Sequence, residues 1–167
     1  MTNKKLSWCF KIKDGLRIVE PNGTLSKSYL EQAKLSILRA EKNLEEKDLL
    51  WTTVAIYYAE YYSLYSFLQK IGIKCENHSC SILATSFLLG EEKIEIIKEH
   101  KEKRIDAQYY MKVGQEEKVT SMLQEAKIFI SNFNEIVSNI TETEINSYRQ
   151  KLIKEREQKN KEVKNGS

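Results

Sequence analysis

The sequence predicts an all-α protein: an antiparallel bundle of four to six helices with a short N-terminal β-hairpin or arm. Three observations predict it. The 167 residues include one Pro and six Gly, too few turn formers for a many-stranded sandwich or barrel. Leu, Ile, Lys and Glu dominate, as expected of a helical chain. Apolar residues recur at helical spacing from Leu30 to Leu152. A hydrophobic share of 41% beside 31% charged residues supplies one core of ordinary size and argues against disorder.

Residues 1–25 read as an arm. Trp8-Cys9-Phe10-Lys11-Ile12-Lys13 and Leu16-Arg17-Ile18-Val19-Glu20 flank Asp14-Gly15, a two-residue hairpin signal, and Pro21-Asn22-Gly23 breaks the chain behind them. A lone hairpin is marginal in water, so it is expected to lie on the helical body. Leu30, Ala33, Ile37, Ala40 and Leu44 mark one face of a first helix, about 26–46. Leu50, Val54, Tyr57, Tyr58, Tyr61, Leu64, Tyr65, Leu68 and Ile71 mark a second, about 49–71, ending at Gly72. A third, about 78–89, carries Ile82, Leu83, Phe87 and Leu88 and ends at Gly90. Ile94, Ile97 and Ile105 belong to a fourth, about 91–111.

Gly114 separates a fifth helix, with Val119, Met122, Ala126, Phe129, Phe133, Ile136 and Ile140. Thr141-Glu142-Thr143-Glu144 has capping-box spacing and opens a last helix through Ile145, Tyr148 and Leu152. The division is thus an arm over 1–25, a bundle over 26–148 and a basic helical tail, expected to fray, over 149–167. Short loops between such helices make antiparallel neighbours.

The net charge of +3 is too small and too uneven to indicate nucleic-acid binding. The segment 149–167 holds seven Lys or Arg against three Glu, a surplus of four, which leaves the preceding residues at −1. The tail is read as solubilising, with an RNA or partner contact as the alternative. No apolar run approaches membrane-spanning length, and Leu6-Ser7-Trp8-Cys9-Phe10 is too short for a signal core. The expectation is a cytoplasmic protein without membrane association, its three cysteines reduced.

The second helix reads Thr53-Val54-Ala55-Ile56-Tyr57-Tyr58-Ala59-Glu60-Tyr61-Tyr62-Ser63-Leu64-Tyr65, and Asn77-His78-Ser79 opens the next. Further on comes Arg104-Ile105-Asp106-Ala107-Gln108-Tyr109-Tyr110. In order and spacing this resembles the HEPN family (higher eukaryotes and prokaryotes nucleotide-binding), over about 26–137. The resemblance implies a helical bundle, usually a homodimer, often encoded beside a minimal nucleotidyltransferase. Many members are metal-independent ribonucleases that act as toxins in toxin–antitoxin pairs. Their site is an Arg followed by His after four to six intervening residues, paired across the dimer cleft.

This chain departs from that motif at the His. After Arg104 the corresponding positions are Tyr109, Tyr110 and Met111, and a phenol with pKa about 10 is a poor base at neutral pH. The chain has two histidines. His100 lies four residues before Arg104, so a helix puts His100, Arg104 and Gln108 in one stripe, which is either an inverted site or a solvated face. His78 at a helix start has its charged form disfavoured by the helix dipole and reads as a cap or interface contact. Candidate catalytic residues are therefore Arg104, Tyr109 and His100, and candidate ligand-binding residues are Arg104, Gln108, Tyr109, His78 and Tyr58.

Other constellations are weaker. Cys75-x-x-His78-x-Cys80 has soft ligands, but it lacks the paired knuckles of a structural zinc site. No cofactor and no metal is expected. The tyrosines of the second helix read as core and dimer seam before they read as a base-stacking platform. Two functions follow. One is a homodimeric module that partners a nucleotidyltransferase or another subunit and binds nucleotide or RNA without robust catalysis. The alternative is a ribonuclease toxin with an irregular site centred on Arg104.

Overall fold

The computed structural model describes residues 2–165. Seven helices form the body: α1 (Thr2–Cys9), α2 (Gly23–Glu45), α3 (Leu49–Lys70), α4 (His78–Leu89), α5 (Glu95–Tyr110), α6 (Glu116–Asn139) and α7 (Glu142–Asn165). A two-residue strand β1 (Arg17–Ile18) pairs antiparallel with β2 (Ile73–Lys74), Ile18 opposite Ile73. Among the described residues no helix is long and apolar enough to cross a membrane.

Helix α3 is the axis of the bundle, packed against α2, α4, α5 and α6. Most of it is buried, from Thr52 and Ile56 through Leu64 to Leu68, while Trp51, Tyr58 and Tyr62 mark its one open side. Its ends and those of its neighbours follow local rules. Asn22, Asp48 and Asn77 each accept a backbone N–H from three residues ahead, opening α2, α3 and α4. The capping box at α7 forms as expected: Glu144 accepts from the Thr141 N–H at 2.8 Å, and Thr141 Oγ1 accepts from the Glu144 N–H at 3.2 Å.

The arm differs from a hairpin. Trp8 and Cys9 lie in α1, and the chain turns back through Lys11–Gly15 with Leu16 N–H donating to Cys9 O. Leu6 and Cys9, three residues apart on one helical face, are both buried. Tertiary burial therefore selects helical spacing over the alternating pattern that the Asp14-Gly15 signal implied. The strand finds its partner 55 residues away instead.

The junction of arm and body is tied by Arg149, whose Nη1 donates to the carbonyls of Val19, Ile71 and Gly72. Gly72 has φ +74, and a Cβ there would meet Val19 O at 2.4 Å, so the close crossing needs glycine. Arg149 and the buried Leu152 and Glu155 make the start of the basic segment part of the body. Residues 1, 166 and 167 of the arm and tail lie outside the described residues.

The cysteines also differ from expectation. Cys9 and Cys80 form a disulfide, tying α1 to α4 across a separation of 71 residues. Cys75 is free and buried, its Sγ 3.3 Å from Asn77 O. Spacing in the chain gives no hint of this pairing, because it depends on where α1 docks.

Candidate functional site

Three tyrosines one turn apart on α3 aim their hydroxyls at α4 and the segment leading into it. Tyr57 Oη is 2.8 Å from His78 Nδ1, Tyr61 Oη is 3.2 Å from Ser81 Oγ, and Tyr65 Oη accepts the Cys75 N–H at 3.2 Å. Each buried phenol thus has a partner, which its burial requires. Burial lifts the pKa of all three tyrosines, so they act as neutral phenols. His78 is sandwiched in this ladder: its ring stacks on Tyr61 at 3.8 Å and meets the edge of Tyr58 at 6.0 Å.

Helix α5 adds the cation. The guanidinium of Arg104 lies 4.8 Å from the Tyr57 ring centroid and 5.9 Å from that of Tyr109, within cation–π range. Its Nη1 donates to Gln108 Oε1 at 3.3 Å, while its Nε is buried without a hydrogen bond. No carboxylate of the described residues forms an ion pair with Arg104. Lys101, one turn earlier on α5, donates to Ser79 Oγ at 2.6 Å. Arg104, Lys101 and the positive end of the α4 dipole therefore gather around His78. Burial first, then Arg104 and Lys101, push the His78 pKa down to about 4. The imidazole is neutral at pH 7, chiefly because it is buried and secondarily because its neighbours are positive.

His100 stands apart from that cluster. It is fully buried, with Nδ1 2.7 Å from Glu60 Oε1 on α3 and Nε2 3.1 Å from Glu125 Oε2 on α6. Its own burial disfavours the charge, but the two carboxylates outweigh that and raise its pKa. Both ring nitrogens are committed, so this imidazole holds three helices together and has none left for a substrate. The stripe Ile97, His100, Arg104, Ala107 is the buried face of α5, so His100 and Arg104 do not lie on a solvated face.

The family model described as HEPN domain matches residues 26–136. The chain belongs to the HEPN family. Neither the curated proteins nor the solved structures include a match. The matched segment runs from the first turn of α2 into the last turn of α6 and holds every candidate residue of the site, whereas α1, β1 and α7 lie outside this HEPN segment.

Within the HEPN domain, Arg104, Gln108, His78 and Tyr58 lie at one place, and Tyr109 stands at its rim, 65% exposed. The sequence reading did not single out Tyr57, which links His78 to Arg104, nor Glu60 and Glu125, which hold His100. Helical spacing carried a signal for the first two: Tyr57 and Glu60 are one turn apart on α3, as Arg104 and His100 are on α5. Two rungs, Tyr57–Arg104 and Glu60–His100, join the antiparallel helices and fix where the guanidinium stands. The soft ligands weighed for zinc are otherwise engaged, with Cys80 bonded to Cys9 and His78 to Tyr57.

The electrostatics are checkable. In a proton NMR titration the His78 imidazole should titrate near pH 4, well below an ordinary histidine. The unfolded chain then holds a proton that the folded one lacks between about pH 4 and 6.5, so the contribution of His78 is complete above 6.5 and lost as pH falls through about 4. The buried Glu60 carboxyl works in the opposite sense over an overlapping range. The ring resonances isolate His78 where a stability curve does not. A midpoint above pH 6 would show that this ring is not buried beside Arg104 and Lys101 as described.

Proposed function

We propose that this HEPN domain binds a phosphate-bearing ligand, nucleotide or RNA, at the cluster of His78, Lys101 and Arg104, and does not cleave it efficiently. The carrying observation is a sheltered guanidinium with an unpaired Nε and no carboxylate partner, beside a lysine and a helix N-terminus. Such a concentration of donors suits an anion. Gln108 braces the guanidinium, and Tyr57, Tyr58 and Tyr109 pack around the cluster.

The chemistry favours binding over cleavage. A His with pKa about 4 is too weak a base to deprotonate a ribose hydroxyl well at neutral pH. Where the neutral Tyr57 phenol donates to Nδ1, Nε2 carries hydrogen and serves as a donor to a bound phosphate. Purified protein should therefore cut RNA poorly, with or without chelator. Arg104→Ala should abolish nucleotide or RNA binding while circular dichroism stays helical, because no buried carboxylate is stranded by the loss. Tyr109→Phe should matter little. Unchanged binding in Arg104→Ala would sink the assignment.

One observation favours the ribonuclease reading: Arg104 and His78 meet on Tyr57, which supplies the Arg–His combination from two helices. Brisk cleavage by the wild type, lost in His78→Ala, would establish it. His78 takes over this discriminating role from His100, whose loss would act through the fold.

We also read the domain as a homodimer that partners a nucleotidyltransferase or another subunit. Support comes from exposed apolar side chains on α2 and α3, where Leu35, Leu38 and Trp51 are 48%, 59% and 53% exposed. Isologous packing of such a face is the common solution. Light scattering should give twice the chain mass, and Leu38→Glu should return it to the monomer.

A further inference from the structure

A groove of about 310 Å³ runs between α2 and α3, and neither His78, Lys101 nor Arg104 lines it. One wall is aromatic, with Trp51, Tyr58 and Tyr62 of α3, and the other is polar, with Gln32, Arg39 and Asn43 of α2. Each wall is a single stripe of its helix. The side-chain amides of Gln32 and Asn43 and the hydroxyls of Tyr58 and Tyr62 are half-buried, and they have no hydrogen-bond partner among the described residues. No carboxylate lines the groove, and Arg39 forms no ion pair among the described residues. Ser26 meets Ser66 and Ala33 packs with Ala59 across this antiparallel pair. Arg39 therefore comes level with about Thr53, between Trp51 and Tyr58.

We propose that this groove docks a proline-rich segment of a partner protein, with an acidic residue between two of its prolines. The proposal does not depend on the anion reading above. Three features select this occupant. The unpartnered amides and phenols call for a chain whose backbone is free to bond. A helix satisfies its own backbone, whereas a polyproline II chain has no internal hydrogen bonds and offers every carbonyl. The aromatic wall suits proline, whose rings lie flat on tryptophan and tyrosine. Its spacing fits as well: Trp51 and Tyr58 are seven residues apart, about 10.5 Å along a helix, and every third residue of a polyproline II chain recurs at about 9.3 Å. Two prolines separated by two residues therefore meet one ring each. Arg39 stands level with the gap between those rings, where a carboxylate complements it.

The test titrates the full chain with a nine-residue polyproline peptide carrying a central aspartate. The controls are the same peptide with a central lysine and a glycine–serine peptide with the aspartate. Trp8→Phe leaves Trp51 as the one tryptophan, so its fluorescence reports the groove, and calorimetry gives the affinities. The aspartate peptide should change that fluorescence saturably and bind about fivefold more tightly than the lysine peptide, the upper value for one exposed ion pair. Arg39→Glu should reverse the order of the two. Trp51→Ala should weaken the aspartate peptide about tenfold, as loss of an aromatic anchor does, and should keep the wild-type circular dichroism because the side chain is 53% exposed. Arg104→Ala should leave peptide binding unchanged, which separates this site from the anion cluster. If no peptide binds the wild type, if the glycine–serine peptide binds as well, or if Arg39→Glu and Trp51→Ala change nothing, the proposal is wrong. Leu38 does not line the groove, so Leu38→Glu should bind the aspartate peptide as the wild type does. Binding in that variant alone would make the groove a seam between copies of the chain and overturn the proposal.

Discussion

His100→Ala should lower the unfolding free energy by about 3–5 kcal/mol, the cost of removing one member of a buried charge pair. Glu60 is fully buried, its Oε1 is held only by His100 and its Oε2 has no partner at all. Without the imidazole the carboxyl is stranded and takes up a proton, in the direction its burial already drives it. Urea denaturation measures the loss. A companion variant with both Glu60→Leu and His100→Leu should recover much of it, because no buried charge is then left unpaired. A His100→Ala loss below about 1 kcal/mol would show that the pair is not buried as described.

The same contact predicts a pH slope in the wild type. The folded pKa of His100 lies above its unfolded value, so the folded state keeps a proton that the unfolded state releases. Its contribution is complete below about pH 6.5 and is lost as pH rises through the folded value. The upward shift of Glu60 acts in the same sense, and the opposing slope of His78 ends near 6.5. Stability should therefore fall as pH rises above 6.5. A flat or rising curve over that range would contradict the assignment.

Reduction of Cys9–Cys80, or Cys9→Ser, should cost roughly 4 kcal/mol, the chain-entropy expectation for a closed loop of this length. The bond spans 71 residues and fastens α1, with its buried Leu6, to α4. Two measurements test it. The unfolded, unreduced protein should show one reactive thiol, from Cys75, and the reduced protein three. The denaturation midpoint should drop when reductant is added. Three thiols before reduction, or an unchanged midpoint, would show that the bridge does not form. In a reducing compartment the bond opens, and α1 is then held by packing alone.

The sequence by itself determined what short-range rules can determine. Asn77, Asp48 and the Thr141–Glu144 box state where helices begin, since each acts on N–H groups two or three residues away. Apolar spacing exposed the bundle, and the order of tyrosines, His78 and Arg104 exposed the family. Tertiary structure decided everything that depends on closing a long loop. It turned Trp8 and Cys9 from a strand into a helix, because the burial of Leu6 and Cys9 outweighs a turn signal. It paired Ile18 with Ile73 and Cys9 with Cys80. It also divided the two histidines, which no local rule distinguishes. The 2.7 Å contact with Glu60, 40 residues away, buries His100 as a strut, and the 2.8 Å contact with Tyr57 leaves His78 in the cluster beside Arg104. Partners that far apart in the chain meet only when α3 has docked against both α4 and α5, so their roles are set by packing and not by spacing.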